Sequence, residues 1–259
     1  MSAESPTRLA APGTRPAEIA RGEHEERAAA QFLREMFTGI AGRYDLLNHL
    51  LSFQVDRYWR RVLSKQIGLH LRNVPNARAL DLCCGTGDQA LSLAATAGPE
   101  ATIYCSDFAH TMLTRAGEKL RERGLRPLVA EADALGLPYA DDSFDALTCS
   151  FGFRNLVNYR AGLAEIRRVL RPGGVMGILE FSEPSGLLKP FYSFYFHHIL
   201  PRVGGLISGS KKSYTYLPRS VDHFPTTPIF QQWMRETGFR DVRSIKLTGG
   251  VAYIHLGTK

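Results

Sequence analysis

The segment Arg78-Ala-Leu-Asp-Leu-Cys-Cys-Gly-Thr-Gly-Asp88 restricts the folds open to this chain more than any other stretch. Ala79, Leu80, Leu82 and Cys83 read as a short buried strand, Gly85 and Gly87 as a tight turn, and residues 89–97 as a helix with apolar periodicity. Strand, glycine turn and helix in that order form the first unit of a nucleotide-binding α/β sheet, with the ligand in the crevice at the carboxyl end of the strand.

Gly85, Gly87 and Ala90 also satisfy the dinucleotide pattern G-x-G-x-x-G/A, so the ligand must be decided on charge. A dinucleotide lays its pyrophosphate on the N-terminus of the following helix, where free N–H groups and the dipole favour an anion. Asp88 stands at that end and would repel a phosphate, and Asp81 adds a second carboxylate beside the crevice. A ligand with a cationic part and no phosphate suits these charges better. S-adenosylmethionine, with its sulfonium and ammonium, is such a ligand. Asp107 ends the next apolar run, where an acidic residue accepts two ribose hydroxyls, a feature that dehydrogenases share.

Strand and helix periods then alternate along the chain: strands over 79–83, 102–106, 127–130, 144–150 and 175–181, helices over 89–97, 110–123 and 159–170. This rhythm predicts right-handed crossovers and a doubly wound, mostly parallel α/β sheet. Gly173-Gly174 reads as the turn before the fifth strand. The rhythm breaks after Phe181 for about 40 residues and resumes with a helix over 229–237. Strands over 241–248 and 251–258, joined tightly by Gly249-Gly250, close a seven-stranded sheet with an antiparallel last strand. Residues 1–22 read as a disordered arm, 23–75 as an N-terminal helical cap, and 183–225 as an insertion within one domain spanning 23–259.

The chain of 259 residues has 44% apolar content, enough for one full core, and no run of about 18 apolar residues. With no signal-peptide pattern either, the expected location is the cytosol. Cys83, Cys84, Cys105 and Cys149 lack metal-ligand spacing and read as reduced, small apolar residues lining the crevice; no metal is expected. The net charge of +7 concentrates between Pro184 and Val221, where Lys189, Arg202, Lys211, Lys212 and Arg219 occur without any Asp or Glu. These basic residues alternate with Phe and Tyr in one insertion instead of forming a stripe, which argues against a nucleic-acid partner.

Five further groups of residues extend the reading: Tyr44-Asp-Leu-Leu-Asn48 with Leu51-Ser52 and Trp59; the glycine turn itself; Ser150-Phe-Gly-Phe-Arg-Asn155; Arg168-Val-Leu-Arg-Pro-Gly-Gly174 with Glu180 and Ser182; and Tyr214-Thr-Tyr-Leu-Pro-Arg-Ser220 with Phe224-Pro225. From about Phe32 onward the chain resembles the class I S-adenosylmethionine-dependent methyltransferases, and more closely the quinone C-methyltransferases of late menaquinone and ubiquinone biosynthesis. It departs from them where Asp56 replaces a usual His and Arg171 a usual Lys.

The resemblance implies cofactor contacts from Thr86, Asp107, Asp133, Ala134 and Ser150, to which the glycine turn adds Asp81, Gly85 and Gly87. It implies a polyprenyl quinol as acceptor, with demethylmenaquinol favoured over the ubiquinone-pathway benzoquinol. Methylating a ring carbon requires a quinolate, and Arg154 is placed to stabilise it while Asn155 and Tyr44 fix the hydroxyl. The base is open between a held water, His198 and a carboxylate such as Asp45; His197 and His198 also read as packed core residues. The aromatic and basic insertion reads as a substrate lid and peripheral membrane contact, or as a surface for a homodimer. A dehydrogenase and an RNA methyltransferase are the competing functions.

Overall fold

The structure, a computed structural model, describes residues 23–40, 42, 45, 49–50, 52–184, 186, 188–200, 202 and 211–259. The arm predicted over 1–22, Tyr44 and the side chains of Lys211 and Lys212 lie outside the described residues.

Helices α1 (Glu23–Ile40) and α2 (Val55–Leu71) precede the sheet. Then follow β1 (Arg78–Leu82), α3 (Asp88–Ala97), β2 (Thr102–Asp107), α4 (His110–Glu122), β3 (Leu128–Glu131), β4 (Phe144–Ser150), α5 (Tyr159–Val169) and β5 (Leu170–Phe181). After α6 (Leu188–Phe194) and a π-helical turn (Tyr195–Ile199) come α7 (Lys211–Asp222), α8 (Thr227–Glu236), β6 (Arg240–Leu247) and β7 (Ala252–Thr258). The strand order is β3-β2-β1-β4-β5-β7-β6. Pairing is parallel from β3 through β5, and β7 runs antiparallel to both its neighbours. This is the doubly wound sheet with an antiparallel last strand that the sequence predicts.

Period-two alternation assigns the two faces. Leu80, Leu82, Leu147 and Cys149 pack with Leu163 and Ile166 of α5 and Phe230 and Met234 of α8. Ala79 and Ala146 face the other way, onto Leu63 and Ile67 of α2 and Leu93 of α3. The central strands β1 and β4 are therefore covered on both faces, as a doubly wound parallel sheet requires. Burial of these side chains, at about 25 cal/mol per Å² of apolar surface, holds the layers together.

Two predicted boundaries move. Helix α5 ends at Val169, and β5 already begins at Leu170, which pairs with Phe144. Gly173, at φ 80°, and Gly174 therefore sit within β5, in an irregularity between the Phe144 and Ala146 pairings. Arg171 closes it with two hydrogen bonds to Asp145, at 2.8 and 2.9 Å. The break after Phe181 contains helix as well as loop. His198 is exposed and stacks on Phe194 at 5.2 Å between ring centroids, which corrects its reading as a packed core histidine; the side chain of His197 is outside the described set.

Backbone strain collects where the sheet meets its ligand side. Cys83 and Phe151, just past the carboxyl ends of β1 and β4, hold left-handed φ values of 51° and 60°. Neither is glycine, and such positions persist only where the surroundings enforce them. The two turns touch: a side chain at Gly152 would place its Cβ 2.4 Å from that of Cys83.

Candidate functional site

A crevice opens above the carboxyl ends of β1, β2 and β4, at the switch point of the strand order. Of the predicted cofactor residues, Gly85, Asp107, Asp133, Ala134 and Ser150 line it, and Asn155 lines it too. Leu33 and Phe37 of α1 close it from the N-terminal side. Asp107 ends β2, and its carboxylate accepts hydrogen bonds from the backbone N–H of Gly85 and of Ala109, both at 2.9 Å. Burial pushes its pKa up, against the pull of those backbone donors. Asp133 accepts from Leu135 N–H at 2.9 Å, which fixes the turn after β3. Ser150 donates to Gln89 Oε1 at 3.1 Å.

Asp81, Thr86 and Gly87 stand back from the wall of the crevice. Asp81 lies inside the sheet. Its Oδ1 accepts from Thr148 Oγ1 at 2.9 Å and its Oδ2 has no hydrogen-bond partner. Burial raises its pKa from 3.8 to about 7, so it is not the fixed negative charge the sequence suggested. Gly87 caps α3 in the left-handed region, and a Cβ there would meet that of Ala116 at 3.3 Å. Of the four cysteines, Cys83 alone lines the crevice; Cys84 and Cys105 pack beneath the glycine turn with α4, and Cys149 packs in the core with α5.

Thr86 instead joins a polar cluster that the sequence did not reveal. It donates to Asp45 Oδ1, while Lys119 Nζ reaches Asp45 Oδ2 at 2.6 Å, Asp88 Oδ1 at 2.7 Å and Thr86 Oγ1 at 3.2 Å. Burial would raise the pKa of Asp88, but Arg60, Lys119 and His49 outweigh it, and the net shift is downward. Lys119 therefore matches the charge that seemed to decide against phosphate. His49 Nδ1 lies 2.9 Å from Asp56 Oδ2 and His49 Nε2 lies 3.4 Å from Asp88 Oδ2. These three side chains converge, yet Lys119 and Arg60 already supply positive charge beside them, so they read as a polar chain, with a hydrogen bond from His49 to Asp56 and a longer ion-pair contact to Asp88, and not as a metal centre.

A second cavity, of about 380 Å³, lies beside the crevice and shares Phe151 with it. Its wall is aromatic, with Trp59, Phe181, Phe191, Tyr192 and Phe196. Arg154 lines this cavity and Asn155 the other, because the 3-10 turn Phe153–Asn155 directs adjacent residues apart. The Arg154 guanidinium is buried and held in place. Nη1 donates to Glu180 Oε2 at 3.0 Å and to the Phe151 carbonyl, and Nε donates to Ser220 Oγ at 3.3 Å. Asn155 Oδ1 accepts from Tyr216 of α7 at 3.1 Å. Asp45 and His198, the predicted alternatives for the base, line neither cavity, whereas Asp56 lines the second.

The crevice suits an adenosyl amino acid. Asp107 offers a carboxylate to a diol, and apolar walls from Phe108, Met112 and Leu156 suit a base. Nearby, Asp81 Oδ2 is buried without a hydrogen-bond partner, and so is Arg60 Nε in the wall of the second cavity.

Comparison with known proteins shows the family to which such a crevice belongs. Demethylmenaquinone methyltransferases of Deinococcus radiodurans and Thermus thermophilus are each 48% identical, covering 88% and 86% of this chain and 93% and 100% of theirs. The ubiquinone/menaquinone biosynthesis C-methyltransferase UbiE of a Geobacter species is 44% identical, covering 88% of this chain and 96% of its own. A solved S-adenosylmethionine-dependent methyltransferase of Aquifex aeolicus shares the fold, at 18% identity and a TM-score of 0.53, covering 71% of this chain and 82% of that one. The profile of the ubiE/COQ5 methyltransferase family matches residues 24–259, and the chain belongs to that family: it is an S-adenosylmethionine-dependent methyltransferase.

Proposed function

We propose that the chain methylates a ring carbon of demethylmenaquinol to form menaquinol, with the ubiquinone-pathway benzoquinol as the second candidate acceptor. The observation that carries this reading is the aromatic second cavity, which adjoins the cofactor crevice and has the fixed guanidinium of Arg154 in its wall, with Arg60 beside it. Bound S-adenosylmethionine supplies an electrophilic methyl group. Gly85, Asp107, Asp133, Ala134 and Ser150 would hold it, with Asp81 and Arg60 toward its amino acid end. Arg154 stabilises negative charge on the ring oxygen, and because it keeps its own proton it does so as an electrostatic partner. Asn155, in the wall of the cofactor crevice, and Tyr44 would fix the ring hydroxyl. An aromatic enclosure excludes water and strengthens these charge interactions.

The test is methyl transfer from S-adenosylmethionine to chemically reduced acceptors. Reduced demethylmenaquinone should turn over faster than the benzoquinol precursor. A preference for the benzoquinol reverses the assignment, and turnover of RNA with neither quinol overturns it.

A polyprenyl tail partitions into a bilayer, so the cavity mouth should meet one. Phe53 and Phe191 line the cavity and are each 74% exposed, with Phe194 at 60% beside them. Lys189 and Arg202 are exposed in the same insertion. Basic residues near anionic lipid contribute about 1 kcal/mol each, enough for weak, reversible docking. Among the described residues no helix is long and apolar enough to cross a membrane. Lys189→Glu with Arg202→Glu should reduce co-sedimentation with anionic liposomes at low salt and leave turnover of a short-tailed quinol intact. Wild-type protein that ignores liposomes and sediments as a dimer would assign these aromatic residues to a subunit interface.

A further inference from the structure

Asp56 is the carboxylate in the wall of the aromatic cavity. It stands one turn before Arg60 on α2 and is 3% exposed. Ser52 Oγ donates to its Oδ1 at 2.7 Å, and its Oδ2 meets His49 Nδ1 at 2.9 Å. The other imidazole nitrogen faces Asp88 at 3.4 Å, and Asp88 pairs with Lys119 at 2.7 Å. Lys119 and Asp45, its second partner, have side chains 23% and 33% exposed. A continuous line of proton-bearing groups thus runs from an enclosed cavity to solvent. Carbon methylation of a phenol by a sulfonium releases one proton per turnover, and the mostly aromatic wall of the cavity offers few polar groups to carry it away.

We propose that Asp56 is the base that takes the ring hydroxyl proton, and that His49 and Asp88 carry it out. The inference rests on a quinol being the acceptor. The ring O–H bond breaks and an O–H bond forms on Asp56. The electron pair stays on the ring oxygen, facing Arg154, and delocalises to the carbon that would take the methyl group as the bond from that methyl to sulfur breaks. The carbon then gives up its own hydrogen as a proton to restore the aromatic ring while the ring oxygen regains one, so one proton per turnover remains to leave. Asp56 hands the proton to His49 Nδ1 as the Nε2 proton passes to Asp88, which requires the tautomer protonated at Nε2. Asp88 releases it beside Lys119. The charged groups around Asp56 are His49 and Arg60, with Arg154 and its partner Glu180 across the cavity and Asp88 and Lys119 behind the imidazole.

Asp56→Asn keeps the shape and removes the base. On reduced short-tailed demethylmenaquinone its kcat should fall at least about 100-fold, the lower end of general base catalysis, with the cofactor Kd unchanged in calorimetry. Asp56→His should recover most of the rate and move the acid limb of the kcat profile toward the imidazole range near pH ~6.5, which a packing role would not do. His49→Gln, a second variant on a partly exposed residue, should lower kcat with the same unchanged Kd. Wild-type turnover with kcat of Asp56→Asn or His49→Gln within about threefold overturns the relay and leaves the acceptor assignment standing. A wild-type enzyme inactive on every quinol overturns both.

Discussion

Arg154→Lys should bind S-adenosylmethionine with unchanged affinity and lose about 100- to 1000-fold in turnover, the effect of removing one preorganised stabiliser of a developing oxyanion. The guanidinium owes its position to the Glu180 carboxylate, the Ser220 hydroxyl and the Phe151 carbonyl, and it lies 5.5 Å from the centre of the Phe181 ring. Its fork can satisfy several partners in one plane while presenting an edge to the cavity. An ammonium is a point charge on a flexible stem and would settle on Glu180, the nearest carboxylate, leaving Ser220 and the Phe151 carbonyl without their donor. The charge survives but its aim is lost. Arg154 is absent from the cofactor crevice, which is why binding should be spared. Steady-state kinetics with a reduced quinol and calorimetry with the cofactor separate the two effects. Near-normal turnover would remove Arg154 from the mechanism.

What could be read from the sequence was local. Gly85 and Gly87 between a strand and a helix announce a ligand turn because few other residues accept those backbone angles, and Asp107 is found by its position at the end of the next strand. Alternation of period two at 79–82 and 144–150 gives the sheet. The glycine pair at 249–250 gives the closing antiparallel connection. What escaped was set by contacts between distant segments. Lys119 looks like one more cation on an exposed helical face, but folding brings it to Asp45, Thr86 and Asp88, reversing the electrostatics of the glycine turn. Asp81 looks like a surface charge beside glycines, yet β1 lies at the centre of the sheet and buries it. Arg154 and Asn155 look like one catalytic pair, and only the 3-10 turn reveals that they line different cavities. Asp56 was noticed merely as a departure from the family; its hydrogen bond to His49 is local in sequence, but its place in the cavity wall depends on α6 and the following π turn arriving from more than 100 residues away.

Asp107→Ala should weaken S-adenosylmethionine binding by about 2 to 4 kcal/mol, the range for losing charge-assisted hydrogen bonds to buried groups, or roughly 30- to 1000-fold in Kd. Two physical effects add here. The carboxylate is the acceptor for the ribose hydroxyls, and it also holds Gly85 and Ala109 by their N–H groups, so its loss frees the glycine turn from the end of β2. Asp107→Asn separates them. Gly85 and Ala109 donate to different oxygens of the carboxylate, so an amide keeps one of the two tethers and turns its NH2 group toward the other N–H, while the negative charge that strengthens the diol contact is gone. If ligand contact dominates, Asn and Ala should bind the cofactor almost equally poorly; if the turn dominates, Asn should recover part of the affinity. Calorimetry on both variants measures the split, and thermal unfolding of each without cofactor reports the turn alone. Normal binding by Asp107→Ala would mean that the ribose is held elsewhere, and the crevice above β1, β2 and β4 would lose its assignment as the cofactor site.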